Sequence, residues 1–219
     1  SMGWLDMQAQ FGDPGLEHKE DLFSGSRAAA AGGFTEVALV PNTDPVLDTK
    51  NDLHYLLGRS SDLVKIHPLA AVTRGAQGQE LTEMIDLHQA GAVAFSDGLN
   101  ALTHRQVLLK AMQYTQKFNG LLINRPEDMQ LTQFGTMHEG IQSTLLGMKG
   151  MPSLAETLAV DQHIRLLQYA SEFAYDHPPR LHLSNISAAE SVALIRQAKQ
   201  QDLVITCDVA AHQLVMTDE

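Results

Sequence analysis

A chain of 219 residues, 44% of them hydrophobic, has the length and apolar content for one large α/β domain with a sizeable core. Its formal net charge of -11, from 26 acidic against 15 basic residues, argues against a nucleic-acid partner, because phosphate-backbone binding draws on clustered Lys and Arg. A single cysteine, Cys207, excludes an internal disulfide and reads as a buried thiol in a reducing compartment. With no secretory leader and no apolar run of transmembrane length, the expectation is a soluble cytoplasmic protein without a membrane partner. Ser1-Met2 reads as an engineered start, the natural protein extending further.

The chain opens on a short apolar strand from Leu5 that ends in Gln8 and Gln10 and then the turn Asp13-Pro14-Gly15. Side chains two apart on a strand share a face, so the two glutamines are expected to project together. Helix formers from Lys19 to Ala31 stop at Gly32-Gly33, and Thr35–Val40 has a buried-strand pattern. The loop Pro41-Asn42-Thr43-Asp44-Pro45 leads to a helix at 50–59 and a strand at 65–72. A helix at 80–90 stops at Gly91, and a strand at 92–96 delivers Asp97-Gly98 at its end.

Thr103-x-x-Gln106 predicts a capping box opening a helix with Val107, Leu108, Ala111, Thr115 and Phe118 on one face. A strand at 120–124 follows and ends at Arg125. Residues 129–153 are too long and Gly-rich for a simple connection, and segments of this kind often cover a site. Val160, Ile164, Leu167, Ala170 and Ala174 mark the buried face of the next helix, and a strand at 180–184 presents Asn185. Ser187-x-x-Glu190 predicts a second capping box for a helix at 188–200, and a last strand spans 203–207. Seven strands alternating with helices imply parallel pairing with right-handed crossovers, and favour a (β/α)8 TIM-type barrel that is incomplete by one strand. No glycine-rich phosphate fingerprint follows any strand, which disfavours a dinucleotide fold.

In such a barrel the chemistry sits at the C-terminal strand ends, here Gln8, Gln10, Asn42, Asp97, Arg125 and Asn185. A hydrolytic metal centre needs several imidazoles and carboxylates converging on a cation. Of these six only Asp97 is a good ligand, and it reads first as a helix cap or a partner of Arg125. Glutamine amides bind transition metals weakly, and the fixed charge of Arg125 opposes a divalent ion. His67 and His182 fall inside strands and read as hydrogen-bonded structural histidines, and the other eight lack paired ligand spacing.

Three blocks, Asp13-Pro14-Gly15-Leu16-Glu17-His18-Lys19-Glu20-Asp21, residues 25–35 (Gly-Ser-Arg-Ala-Ala-Ala-Ala-Gly-Gly-Phe-Thr) and Val40-Pro41-Asn42-Thr43, resemble the opening of class I dihydroorotases of the amidohydrolase superfamily. His138-Glu139-Gly140, Gly147-x-x-Gly150-Met151-Pro152, 191–196 and 214–219 resemble later blocks of that family. The resemblance implies a zinc-dependent cyclic-amide hydrolase barrel of pyrimidine biosynthesis. It places the family's paired strand-one histidines on Gln8 and Gln10, and its substrate-gripping arginine on Gly12. Two further ligand histidines fall on Arg125 and Asn185. Asn42 matches a substrate-contacting asparagine and Asp97 the metal-bridging aspartate. The resemblance implies that the family's catalytic aspartate, eighth strand and part of its terminal β-sandwich fall beyond Glu219, so the chain reads as a trimmed barrel. With these groups replaced, the expectation is no catalytic residue and no bound cofactor, zinc included. The resemblance then implies a non-catalytic partner of aspartate carbamoyltransferase that also self-associates. The alternatives are an active cyclic-amide hydrolase with an altered metal centre, or an anion binder using Asn42, Arg125 and the long segment.

Overall fold

The computed structural model describes residues 3–59 and 63–217. Ser1-Met2 and the last two residues of the 214–219 block lie outside the described residues. The chain divides into two compact units, residues 1–100 with 120–122, and residues 101–119 with 123–219.

The first unit runs β1 (Trp4–Ala9), α1 (Leu22–Ala31), β2 (Phe34–Leu39), α2 (Lys50–Gly58), β3 (Lys65–Ala70), α3 (Met84–Gln89) and β4 (Ala94–Phe95), and takes in the start of β5 (Leu121–Asn124). Its strands pair in parallel in chain order, with Val37 opposite Ile66, Leu69 opposite Ala94 and Phe95 opposite Leu122. Strands of this kind are buried on both faces. Leu39, Leu69 and Phe95 from the sheet therefore meet Leu53 and Leu56 of α2 and Met84 and Leu87 of α3 in a fully buried core.

The helices of this unit begin where side chains cap them. Asp21 accepts from the Ser24 N–H and Ser24 Oγ accepts from the Asp21 N–H, so α1 starts at Leu22 rather than at Lys19. Thr49 and Asp52 close α2 in the same way. The helix expected from Glu80 starts only at Met84, because residues 80–82 are drawn back onto the chain after β3. Arg74 N–H donates to Glu80 O at 2.8 Å, Thr82 N–H to Val72 O at 3.0 Å, and Thr73 bridges Leu81.

The second unit holds α4 (Arg105–Thr115), the end of β5, α5 (Met129–Thr132), β6 (Met137–His138), α6 (Ile141–Leu145), β7 (Gly150–Met151), α7 (Leu154–Glu172), β8 (Arg180–Leu183), α8 (Ala189–Gln200) and β9 (Ile205–Cys207). β8 follows β5, with Ser184 N–H donating to Asn124 O at 3.1 Å, and pairs in parallel with β9. Among the described residues the main strands are thus the seven expected, all parallel. The long segment 129–153 holds two short helices and a two-stranded parallel pair, β6 with β7, which carries no periodic signal in the sequence.

Four capping and burial expectations are corrected here. His104, not Thr103, caps α4, its Nδ1 accepting from the Val107 N–H. Ser187 does not box with Glu190; Glu156 of α7 instead accepts from the Ser187 N–H and hydroxyl and from the Ala188 N–H at 2.6–3.0 Å, closing the start of α8 from a neighbouring helix. Ala174 lies beyond α7 and is exposed, whereas Val160, Ile164, Leu167 and Ala170 are buried as their spacing requires. Cys207 is half-buried rather than buried.

At the centre of this unit His163 is buried against Asn124. Its Nδ1 donates to Ala159 O, so its Nε2 accepts from Asn124 Nδ2 at 2.6 Å, and Asn124 in turn clasps both backbone groups of Leu102. Burial takes the His163 pKa down from its ordinary 6.5 to about 4, the neutral ring being the form the packing accepts.

Two outcomes follow. The unfolded chain takes up a proton at residue 163 below pH 6.5 that the folded chain refuses until about 4. Stability is therefore full above pH 6.5 and falls by roughly 3 kcal/mol on going to pH 4. Urea unfolding across that range is expected to show this slope in the parent and lose it in His163→Gln. Glu156→Ala is expected to cost about 1–2 kcal/mol, and Glu190→Ala a few tenths, in the same measurement.

Candidate functional site

Each main strand delivers a polar residue at its C-terminal end, and the first unit delivers Gln8, Gln10, Asn42 and Asp97. β1 does not hold its alternation to the end. Between Asp6 and Ala9 it spends one residue more than β2 does between Val37 and Leu39, a bulge accompanied by a Gln8 N–H to Asp6 Oδ1 bond of 2.9 Å. β1 ends at Ala9, so Gln8 is half-buried while Gln10 lies past the strand and is exposed. Gln8 therefore belongs to the irregular stretch of β1, and Gln10 follows the strand's last residue.

Gly12 is held by backbone on two sides. Its N–H donates to Glu20 O at 2.9 Å and its carbonyl accepts from Leu16 N–H at 2.6 Å. A Cβ at this position would stand 2.3 Å from Leu16 O and 2.8 Å from Glu20 O. Backbone carbonyls cannot swing aside as a flexible side chain can, so loop 12–20 has closed over the place where a side chain would leave the chain. Asp13, buried beside it, accepts from the Tyr55 hydroxyl at 2.9 Å, and Arg59 donates to that hydroxyl in turn.

Asp97 follows β4 and is 2% exposed. Its Oδ1 accepts from the Thr73 N–H at 2.9 Å and its Oδ2 from the Thr73 hydroxyl at 2.6 Å; that hydroxyl accepts from Gly78 N–H at 2.8 Å. Burial pushes the carboxyl pKa up, against the pull of the Thr73 bonds. The expectations of a helix cap or an Arg125 partner are corrected: the carboxylate ties the end of β4 to the turn after β3. Asn42, after β2, serves the same loop from the other side. Its Nδ2 donates to Asp97 O at 3.1 Å and its Oδ1 accepts from Leu99 N–H at 2.9 Å. Gly98, at φ +61, leaves room for that carboxamide, which a Cβ would meet at 1.9 Å.

In the second unit Arg125 follows β5 and pairs with Glu127 at 2.6 Å, and Glu127 also accepts from the Thr132 hydroxyl at 2.6 Å. The buried Nε of Arg125 has no hydrogen-bond partner among the described residues. Asn185 follows β8 in the left-handed region at φ 58, a conformation asparagine tolerates, and its side chain is exposed. Its N–H donates to Asp208 Oδ1 at 2.6 Å, while Asp208 Oδ2 stands 3.1 Å from Nε2 of the buried His182. Burial raises the Asp208 pKa, but the hydrogen bonds from His182 and the Asn185 N–H, with the His182 charge, bring it below the usual carboxylate value. His182 and His67 are the hydrogen-bonded strand histidines expected, His67 facing Glu36. Thr73 and Asp208 were not singled out from sequence. Asp208 was within reach of the strand-end rule, being the first residue past β9, whereas nothing near Thr73 marks it as the partner of Asp97.

These groups do not suit a zinc centre. Of the four positions that the family resemblance assigns to ligand histidines, three are the amides Gln8, Gln10 and Asn185 and one is a cation already paired with Glu127, while both oxygens of Asp97 accept from Thr73. Among the described residues no three His, Cys, Asp or Glu side chains come together as a metal site requires. Among them, too, no helix is long and apolar enough to cross a membrane.

A family model described as "Dihydro-orotase-like" matches residues 2–191. A curated protein from Citrifermentans bemidjiense, named dihydroorotase, is 39% identical over 219 residues, covering 99% of this chain and 50% of that protein. The chain thus spans about half the length of the curated relatives it matches. Among solved structures, the L-hydantoinase (dihydropyrimidinase) of Arthrobacter aurescens superposes with a TM-score of 0.75 at 20% identity, over 99% of this chain and 48% of that one. The Saccharomyces cerevisiae dihydroorotase, in complex with 5-fluoroorotic acid, superposes at 0.61 and 13% identity, over 99% and 58%. The fold is accordingly that of the TIM-barrel amidohydrolases, over part of their length.

If Asp97 is a loop clamp, an amide serves in its place. Asp97→Asn is expected to stay within about 1 kcal/mol of the parent, while Asp97→Ala, which orphans the buried Thr73 N–H, costs about 2–3 kcal/mol. Because the folded-state pKa is raised, ionisation of Asp97 subtracts stability as pH rises through that pKa, and Asp97→Asn removes this component. Gly12→Ala is expected to destabilise by more than 1 kcal/mol, as overpacking against fixed backbone does. Urea unfolding of the three variants checks all of these values.

Proposed function

The chain belongs to the dihydro-orotase-like family, and on that premise we propose that it is a non-catalytic homologue serving pyrimidine biosynthesis as a structural partner of aspartate carbamoyltransferase. The observation that carries the non-catalytic reading is Asp97. It is the one carboxylate among the positions that match the family's centre, and both of its oxygens are bonded to Thr73. A hydrolytic centre lowers the pKa of a bound water through a cation held by several ligands together. Here Gln8, Gln10, Arg125 and Asn185 stand where the family has histidines, and Gly12, walled in by backbone, stands where it has an arginine. The scaffold is kept while the ligand chemistry is absent, which suits a protein retained for the surface it presents. The identity of the partner rests on the family resemblance.

A second reading, a cyclic-amide hydrolase with an altered centre, draws on the 39% identity to a protein named dihydroorotase. Two assays on the 219-residue protein separate them. Dihydroorotate turnover is expected at buffer background, with and without added zinc, and a measurable zinc-dependent rate overturns the non-catalytic reading. Size-exclusion chromatography with the same organism's transcarbamoylase is expected to give a mixed complex at micromolar concentrations, and separate elution overturns the partnership. The double variant Gln8→His, Gln10→His is expected to remain inactive, since Arg125, Asn185 and Gly12 are unchanged.

A further inference from the structure

The second unit carries a cavity built from helix residues, with none of the strand-end positions in its lining. Its volume is about 550 Å³, within the roughly 300–1,000 Å³ of small-molecule sites. Arg105 and Leu109 of α4 line it together with Gln162, Arg165, Leu166 and Tyr169 of α7. Residues four apart on a helix share a face, so Arg105 with Leu109, Gln162 with Leu166 and Arg165 with Tyr169 each stand one above the other along the groove.

The two arginines are the informative residues. Each is fixed by one bond from its Nε: Arg105 donates to Gln162 Oε1 at 2.9 Å and Arg165 to Asp161 Oδ2 at 2.8 Å. The terminal NH2 groups of both guanidiniums have no protein acceptor among the described residues. Their parallel donors are the ones that engage two oxygens of a carboxylate or phosphate at once, and a guanidinium already held at Nε loses less freedom in doing so. Gln162 is neutral, so the charge of Arg105 is not cancelled by its partner. Two guanidiniums in the lining thus face one carboxylate, Asp161, which leaves a net positive cavity on a chain of formal charge -11. A cavity of the first unit has the opposite balance, with Asp48, Glu83 and Asp86 against Lys50 and Arg74.

The rest of the lining is apolar. Leu109 and Leu166 are half-buried, and the exposed Tyr169 ring packs on Phe173 with 5.1 Å between centroids, which steadies a flat aromatic wall. We propose that the groove between α4 and α7 binds a small organic anion, a phosphate or carboxylate carried on a flat ring. The guanidiniums take the oxyanion, and Leu109, Leu166 and Tyr169 cover the ring. The proposal is independent of the function proposed above, and its test uses neither dihydroorotate nor a transcarbamoylase.

Heteronuclear NMR titration of the 219-residue protein with phenyl phosphate tests it. The expected result is saturable shifts of α4 and α7 amides with a Kd of about 1 mM, and a Kd about tenfold higher for inorganic phosphate, which lacks the ring. Arg105→Gln and Arg165→Gln, both at exposed positions, are each expected to raise the phenyl phosphate Kd about fivefold or more, while Arg74→Gln in the first unit leaves it unchanged. Benzoate distinguishes the two oxyanions: shifts of the same amides at a lower Kd than phenyl phosphate assign the carboxylate, and at a higher Kd the phosphate. The spectrum of each variant reports its folding, and should one arginine variant fail to fold, the other decides. Absence of saturation with phenyl phosphate overturns the proposal. So does an equal Kd for inorganic phosphate, the mark of an adventitious ion only, or a Kd that neither arginine variant changes.

Discussion

A carboxylate taken out of water must be paid for in hydrogen bonds, and the way Asp97 meets that requirement shapes the strand ends of the first unit. Both oxygens go to Thr73, and the Thr73 hydroxyl goes on to Gly78 N–H, so one buried side chain fixes the turn after β3 against the end of β4. Asn42 completes the same frame by spanning Asp97 O and Leu99 N–H. Residues that the family resemblance assigns to metal and substrate are spent on holding loops. Loop 12–20 shows the complementary outcome, with backbone closed around Gly12, the position to which the family resemblance assigns an arginine.

The second unit solves the same problem with different residues. Asp208 accepts from Asn185 N–H and faces His182, so the end of β8 is tied to the end of β9 by a strand-end acid. Glu156 reaches from α7 to satisfy the start of α8, and Asn124 joins His163 to the backbone of Leu102. In each case the polar group at an element's end is matched to a donor or acceptor within its own unit. Water and ligands are therefore not required to satisfy these particular atoms. Among the described residues, the buried Arg125 Nε is the exception at the strand ends.

The fold was legible in the sequence because it is written in local periodicity. Alternating apolar runs and helical faces located the seven main strands, and Val160, Ile164, Leu167 and Ala170 marked the buried stripe of α7 correctly. What was not legible depends on residues far apart in the chain or on irregularity within a strand. The Ser187-x-x-Glu190 spacing satisfies the capping-box pattern, yet a glutamate 31 residues upstream occupies the donors. The bulge between Asp6 and Ala9 leaves no mark in composition, since it arises from pairing with β2. The two-residue strands β6 and β7 are too short to carry a period. At the candidate site, residue types raised the expectation that metal ligands are replaced, and the structure adds the hydrogen bonds that Asp97 and Asn42 make and the backbone that walls in Gly12.

The central claim is that the strand ends hold the protein's own loops and not a metal. A metal bound to the folded chain and not to the unfolded one raises stability by about 2.7 kcal/mol at a hundredfold excess over its Kd. The most direct measurement is urea unfolding of the 219-residue protein in excess zinc and again in excess chelator. The account predicts coincident transitions. A zinc-dependent gain of that size, abolished by chelator, would contradict it.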